Sequence, residues 1–249
     1  MFRLFAELNR EQLRALAPSA LVVVPIGATE QHGPHLATGM DYFTVESIAH
    51  EAAAIAGNEI EIVVAPALPF GSSHHHLVFG GTISLSTETY RRALYEVVES
   101  LVTSGFNRIF LLNGHGGNHE LAQLAVRDIV LLHPVQAAAG SYWNMAMEHL
   151  AAAGAEMARV PGHAGDFETS VLLSMRPDLV SKDLPQRDLP PSGRWPEQPS
   201  TFRDERHGFW KNMNGHTDSP ALASAEKGQR FRTAIANAVA KTWLEYMRS

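Results

Sequence analysis

The stretch "RIFLLNGHGGNHELAQLAVRDIVLL", residues 108–132, divides into three pieces. "RIFLLNG" (108–114) is a short apolar run closing on glycine, the pattern of a strand. "HELAQLAVRDIVLL" repeats apolar residues at helical spacing, and a helix is expected over 118–132. Between them Gly114, Gly116 and Gly117 let the backbone turn sharply and approach a ligand, with His115 projecting at the sheet edge.

The same alternation extends outward. "ALVVVPIG" (20–27), "EIEIVVAPALPFG" (59–71) and "VQAAAGSYW" (135–143) read as further strands. Residues 42–56, 87–104 and 144–153, and the run from Ser224 to Met247, read as helices. Strands alternating with helices predict an α/β fold with a mostly parallel sheet covered on both faces. From Arg176 to Trp210 the pattern dissolves, and the stretch holds six of the 14 prolines. Proline supplies no backbone N–H, so a long loop is expected there, and its aromatic residues and mixed charges favour a rim or subunit contact over a linker. No repeat and no second domain is visible in the 249 residues.

Composition narrows the function. Hydrophobic residues at 45% and charged residues at 18% suit a packed globule. The net charge of −6 and the scattered Lys and Arg residues argue against a nucleic-acid partner. No apolar run approaches the roughly 20 residues of a membrane span, and the charged start "MFRLFAELNREQLRALAP" lacks the apolar stretch of a signal peptide. A cytoplasmic location is expected. With no cysteine, any metal must be held by oxygen and imidazole, which draws attention to the 13 histidines.

Three motifs lie where strands stop, the usual place for sites in parallel sheets. In "GATEQHGPHLATGMD" (27–41) an extended backbone would turn Glu30 and His32 to one side and Gln31 to the other. Asp41 then returns just ahead of a helix beginning near Tyr42, either as its N-cap or as a ligand. In "LLNGHGGNHE" (111–120) the glycine spacing fits neither a dinucleotide loop nor a Walker loop, which leaves His115 as a buried structural residue or a ligand. In "PGHAGDFETSVLLSM" (161–175) His163 occupies a Gly-flanked turn, and Glu168 opens a helix, where a carboxylate is also favoured by the helix dipole alone.

Together these motifs resemble the creatininase family, the creatinine amidohydrolases and their relatives. "GATEQHGPHL", "NGHGGN" and "HAGDFETS" are similar to that family's motifs in order and spacing, as are "FGGTISLS" (79–86) and "SAEKG" (224–228). The resemblance implies a three-layer α/β/α sandwich, a homo-oligomer that is often a hexamer, and a small-molecule substrate. It also implies two divalent metal ions: zinc is expected, with manganese or iron also suited to such ligands. Carried over, Glu30, Asp41 and His115 would hold one ion, and His32, Asp41 and Glu168 the other, with Asp41 bridging. Three carboxylates against two divalent cations leave a positive charge that a bridging hydroxide would neutralise, and this hydroxide is the expected nucleophile. His163 matches the family's catalytic histidine, cast as general acid to the leaving nitrogen or donor to the oxyanion; the alternative is a histidine that only orients a ligand.

His35 and His119 stand beside ligands and are expected to orient them. His74, His75 and His76 either line the pocket mouth or lie on the surface. Asp166, Glu120 and His216 have no assigned role. Two departures bear on substrate. Creatinine-opening enzymes resemble "NGHYEN" where this chain has Gly117, and they carry a Trp-Asp pair where it has Arg159 and Val160. Glu168 is the expected substitute ligand, and creatinine is not the expected substrate. A C–N bond in a small cyclic amide, a formamide or a short peptide is expected instead. The alternatives are a lactone or ring ketone opened at the same site, or metal or small-molecule binding without catalysis.

Overall fold

A computed structural model of the chain describes residues 1–187 and 207–249. Five strands are described: β1 (Phe2–Leu4), β2 (Leu21–Ile26), β3 (Ile62–Val64), β4 (Arg108–Asn113) and β5 (Gln136–Ser141). Around them lie α1 (Arg10–Leu16), α2 (Met40–Ala56), α3 (Thr87–Thr103), α4 (His119–Leu132), α5 (Tyr142–Met145), α6 (Met147–Ala152), α7 (Asp166–Met175), α8 (Phe209–Asn212) and α9 (Ala225–Arg248). The sheet order is β1-β3-β2-β4-β5, and every pairing is parallel.

The period of two along each strand sorts side chains into two cores. From β2 and β4, Leu21, Val23, Phe110 and Leu112 pack beneath α2, α5, α6, α7 and α9. Their neighbours Val22, Val24, Ile26, Ile109 and Leu111 pack on the other face against α1, α3 and α4. Buried on both faces, β2 and β4 are therefore almost uniformly apolar, as central parallel strands must be. After β2 the chain passes outward to β3, then returns to lay β4 on the opposite side of β2. The crevice beyond the carboxyl ends of β2 and β4 is thus the topological switch point, where α/β sheets place their sites.

Several boundaries differ from the sequence reading. The expected strand 59–71 contracts to three residues, because Pro66 and Pro69 lack the N–H that continued pairing needs. The strand expected to reach 143 stops at Ser141, and the helix expected over 144–153 starts early and breaks at Ala146. Tyr142 and Trp143 are too valuable to the core to remain on an edge strand, and both are buried in it. The helix expected from Tyr42 begins at Met40 with Gly39 as its N-cap, so Asp41 is not a cap but stands inside the first turn. Before residue 20 the sequence reading found nothing, yet Phe2–Leu4 adds an edge strand to β3, and Asn9 with Gln12 forms a capping box on α1. Of the loop expected over 176–210, residues 188–206 lie outside the described residues, and its far end is helical in α8.

α9 crosses α7 closely at Gly228, where any Cβ would fall inside contact distance of the Ser170 carbonyl oxygen. Alanine gains about 1 kcal/mol of helix propensity over glycine, but overpacking against unyielding backbone costs about 1–3 kcal/mol and also separates the helices. A Cβ this close to a backbone carbonyl puts the cost at the upper end, a net loss of about 2 kcal/mol, so Gly228→Ala should lower the thermal midpoint by roughly 4–8 °C for a chain of this size. An unchanged midpoint would show that the crossing tolerates a methyl group.

Candidate metal centre and active site

Glu30 and His32 lie on the segment leaving β2, His115 on the turn leaving β4, Asp41 in the first turn of α2, and Glu168 in the first turn of α7. All five are buried. His32 Nε2 lies 3.1 Å from Asp41 Oδ1 and 3.6 Å from Glu168 Oε2. His115 Nδ1 lies 3.1 Å from Asp41 Oδ2 and 3.3 Å from Glu30 Oε1. The two oxygens of Asp41 thus face two different imidazoles.

These approaches are close, but Glu30 Oε1 and Oε2, His32 Nε2 and Asp41 Oδ2 make no hydrogen bond although all are buried. Buried polar atoms are nearly always paired, so four orphans on three neighbouring residues mark a donor set suited to a cation. The ligand atoms of His32, Asp41 and Glu168 lie within 4.8 Å of one another, as do those of Glu30, His75 and His115, and of Glu30, His32 and His163. Mixed oxygen and imidazole donors suit zinc or manganese.

Backbone carbonyls fix which nitrogen each histidine offers. His32 Nδ1–H donates to Glu30 O at 3.2 Å, His115 Nε2–H to Ser72 O at 3.3 Å, and His163 Nε2–H to Gln31 O at 2.9 Å. Each ring then turns its other nitrogen inward; His163 Nδ1 is 3.7 Å from Glu30 Oε1. The Glu168 carboxylate is oriented by the Ala164 N–H at 2.5 Å.

Burial opposes ionisation of Glu30, but His115, His76 and His163 outweigh it and hold its carboxyl well below the usual range. Burial also disfavours a charged His32, yet Asp41, Glu168 and Glu30 push its pKa to about 10. Burial raises Glu168 to about 8 despite His32. Burial, then His76 and His32, keeps His163 well below the ordinary histidine value and therefore neutral.

Other sequence expectations divide. His74 is exposed and bonded to Ser84 Oγ at 2.7 Å, while His75 and His76 line the cavity, with His76 fully buried. His35 is buried against Thr169 Oγ1 at 3.1 Å. His119 reaches the centre only through Ser141 Oγ and Asn113, which holds the His115 backbone. Asp166 serves an ion pair with Lys227 at 2.9 Å, His216 bonds to Asn214 O, and Glu120 is exposed. Gln31 does not point away as the alternation predicts: its amide nitrogen is 2.9 Å from both His76 Nδ1 and His163 Nε2. The strand has ended before Gln31, so the period of two no longer applies.

The cavity at the centre measures about 20 Å³, room for about one water. Trp143, Pro161 and Gly162 form part of its wall. Trp210 lies outside, its ring centroid 4.7 Å from that of His76 and 5.2 Å from that of His163. Sequence reasoning missed both tryptophans: Trp143 was assigned to a strand, and Trp210 only to the edge of a loop.

The family model described as "Creatininase: Creatinine amidohydrolase" matches residues 6–243. The chain belongs to the creatininase family. This family member is 36% identical over 181 residues to a mycofactocin precursor peptide peptidase of Mycolicibacterium smegmatis, a match covering 69% of this chain and 64% of that protein. It is 27% identical over 237 residues to a creatinine amidohydrolase of Pseudomonas putida, covering 88% and 86%. A solved mutant creatininase described as Zn-Zn type superposes with a TM-score of 0.75 at 25% identity, covering 97% of each chain.

With His32 at about 10 and Glu168 at about 8, both hold protons at neutral pH that a cation would displace. Zinc uptake by this creatininase-family chain should therefore release protons, and affinity should climb as pH rises through about 8 toward about 10. Titration calorimetry in buffers of different protonation enthalpy reads this directly; a heat independent of buffer would contradict it.

Proposed function

We propose that this chain is a dinuclear metal hydrolase that cleaves a C–N bond in a small cyclic amide, a formamide or a short peptide, and that creatinine is not its substrate. The observation carrying this reading is the convergence of the unpaired, buried atoms of Glu30, His32 and Asp41 with His115 and Glu168. Glu30, Asp41 and His115 would hold one divalent cation, and His32, Asp41 and Glu168 the other, with Asp41 shared between them. Two such cations, zinc or manganese, would supply Lewis acidity at the substrate carbonyl and lower the pKa of water at the site.

The protein's own part is positioning and proton transfer. His163 is kept neutral, with a lone pair at Nδ1 directed to the centre. It can take the proton released when water adds to the carbonyl carbon and pass it to the leaving nitrogen as the C–N bond breaks. Its backbone is pinned on both sides by Thr217, whose hydroxyl accepts from the His163 N–H and whose N–H donates to the His163 carbonyl, each at 2.8 Å.

Arg159 and Val160 support the exclusion of creatinine. The Arg159 guanidinium is committed to Glu156 at 3.1 Å and to Asp166 at 3.7 Å, so it offers neither a stacking face nor an acid to the cavity. Similarity to a peptide peptidase favours the short-peptide arm.

A screen of metal-loaded protein over cyclic amides, formamides, short peptides and lactones, read by amine release, tests the bond class. Hydrolysis without a new amine would refute C–N cleavage. Glu30→Ala and His115→Ala should each lose metal and turnover together. His163→Ala should keep its metal and lose about 100-fold or more in kcat. Full activity in any of the three would remove that residue from the mechanism.

A further inference from the structure

Four buried imidazoles face Glu30, and one is held differently from the rest. His32, His115 and His163 each give an N–H to a backbone carbonyl, so each turns its other ring nitrogen to the centre. His76 is 1% exposed, and its Nδ1 meets not a carbonyl but the side-chain amide nitrogen of Gln31 at 2.9 Å. The orientation of that amide is fixed independently, because Gln31 Oε1 accepts from the Gly33 N–H at 2.9 Å. The NH2 group must therefore be the end that faces His76. An NH2 group can only donate, and it lies 2.9 Å from two ring nitrogens, His76 Nδ1 and His163 Nε2. His163 Nε2 has the Gln31 carbonyl oxygen at 2.9 Å as acceptor for its own proton, so His76 Nδ1 is the acceptor left to the amide, and the proton of a neutral His76 sits on Nε2.

His76 Nε2 is directed inward, 3.5 Å from Glu30 Oε1, the same oxygen that His163 Nδ1 approaches at 3.7 Å. The two rings lie nearly parallel, with centroids 4.2 Å apart and planes 17° apart, so they present adjacent inner edges to one cavity. One edge carries a lone pair and the other a proton.

We propose that His76 is a hydrogen-bond donor to the reacting carbonyl oxygen, and that Gln31 is the positioning residue that fixes its tautomer. The inference rests on the acid–base role of His163 proposed above. As the carbonyl carbon becomes tetrahedral, charge grows on its oxygen, and a donor already oriented in a water-poor cavity stabilises that charge without reorganising. His163 manages the proton on the water and nitrogen side, and His76 serves the oxygen side. No proton leaves His76 in the cycle.

Two measurements test it. Nitrogen NMR of the histidine side chains in the zinc-loaded full chain should show His76 protonated at Nε2, and Gln31→Met should abolish that preference. A wild-type His76 protonated at Nδ1 overturns the proposal, whatever any variant does. The kinetic test uses the amide with the highest turnover in the substrate screen. His76→Phe keeps a stacked ring but no donor and should lower kcat about 100-fold with zinc stoichiometry unchanged. His76→Gln, which restores an N–H near Nε2, should recover part of that loss. Wild-type kcat in His76→Phe, or zinc lost along with activity, overturns the donor role. If His163→Ala also keeps full activity, the acid–base reading has failed first, and the NMR result still decides the tautomer of His76.

Discussion

Three carboxylates buried within reach of the same imidazoles constrain the whole molecule. An ionised carboxylate taken from water into a protein interior costs on the order of several kcal/mol unless it is paired, and here Glu30, Asp41 and Glu168 are all buried. The charge must be balanced inside the cluster. Protons can do so, which is why His32 is pushed to about 10 and Glu168 to about 8. Divalent cations can do so better, because buried oxygens of Glu30 and Asp41 are left without a hydrogen-bond donor. Keeping these groups together therefore means holding four separate chain segments against their mutual desolvation.

The fold supplies that restraint from several directions. The segments leaving β2 and β4 are anchored by six consecutive paired residues on each strand. Asp41 and Glu168 each occupy the first turn of a helix, where the dipole favours negative charge. α7 is in turn locked to α9 at Gly228, and its N-terminal N–H at Asp166 is capped by the buried Asp218. Asp218 and Thr217 are neighbours, so one short segment holds both the helix bearing Glu168 and the turn bearing His163.

What the sequence revealed was what periodicity and motif can carry. Parallel β2 and β4 and the helices around them were legible, because apolar runs and glycine turns are local patterns. Each of the five converging residues had another reading by itself, and only the resemblance of the separated motifs to the creatininase family grouped them. Tertiary competition was not legible. Trp143 left its expected strand because burial outweighed extended pairing, and Gln31 turned inward because the strand had already ended. Three adjacent histidines with identical chemistry were separated only by the turn over His74–Phe79, which exposes the first and buries the third. No residue-by-residue reading distinguishes them. The short strand Phe2–Leu4 was hidden because its pairing with β3 is wholly non-local.

The glycine at 117 shows how one absent side chain can reorganise a site. A Cβ there would collide with the Ser72 carbonyl oxygen and crowd His115 Nε2. These are the same two atoms whose hydrogen bond, at 3.3 Å, turns His115 Nδ1 toward Asp41 and Glu30. A side chain at 117 and this orienting contact exclude each other unless the Ser72 loop shifts. In the proposed ligand set the third carboxylate comes from the first turn of α7, which brings Glu168 within 3.6 Å of His32. Moving a carboxylate from a loop to a helix changes its surroundings as well as its address, since Glu168 is oriented by the backbone N–H of Ala164, next to His163. The placements of Glu168 and His163 are thereby tied to one turn of chain.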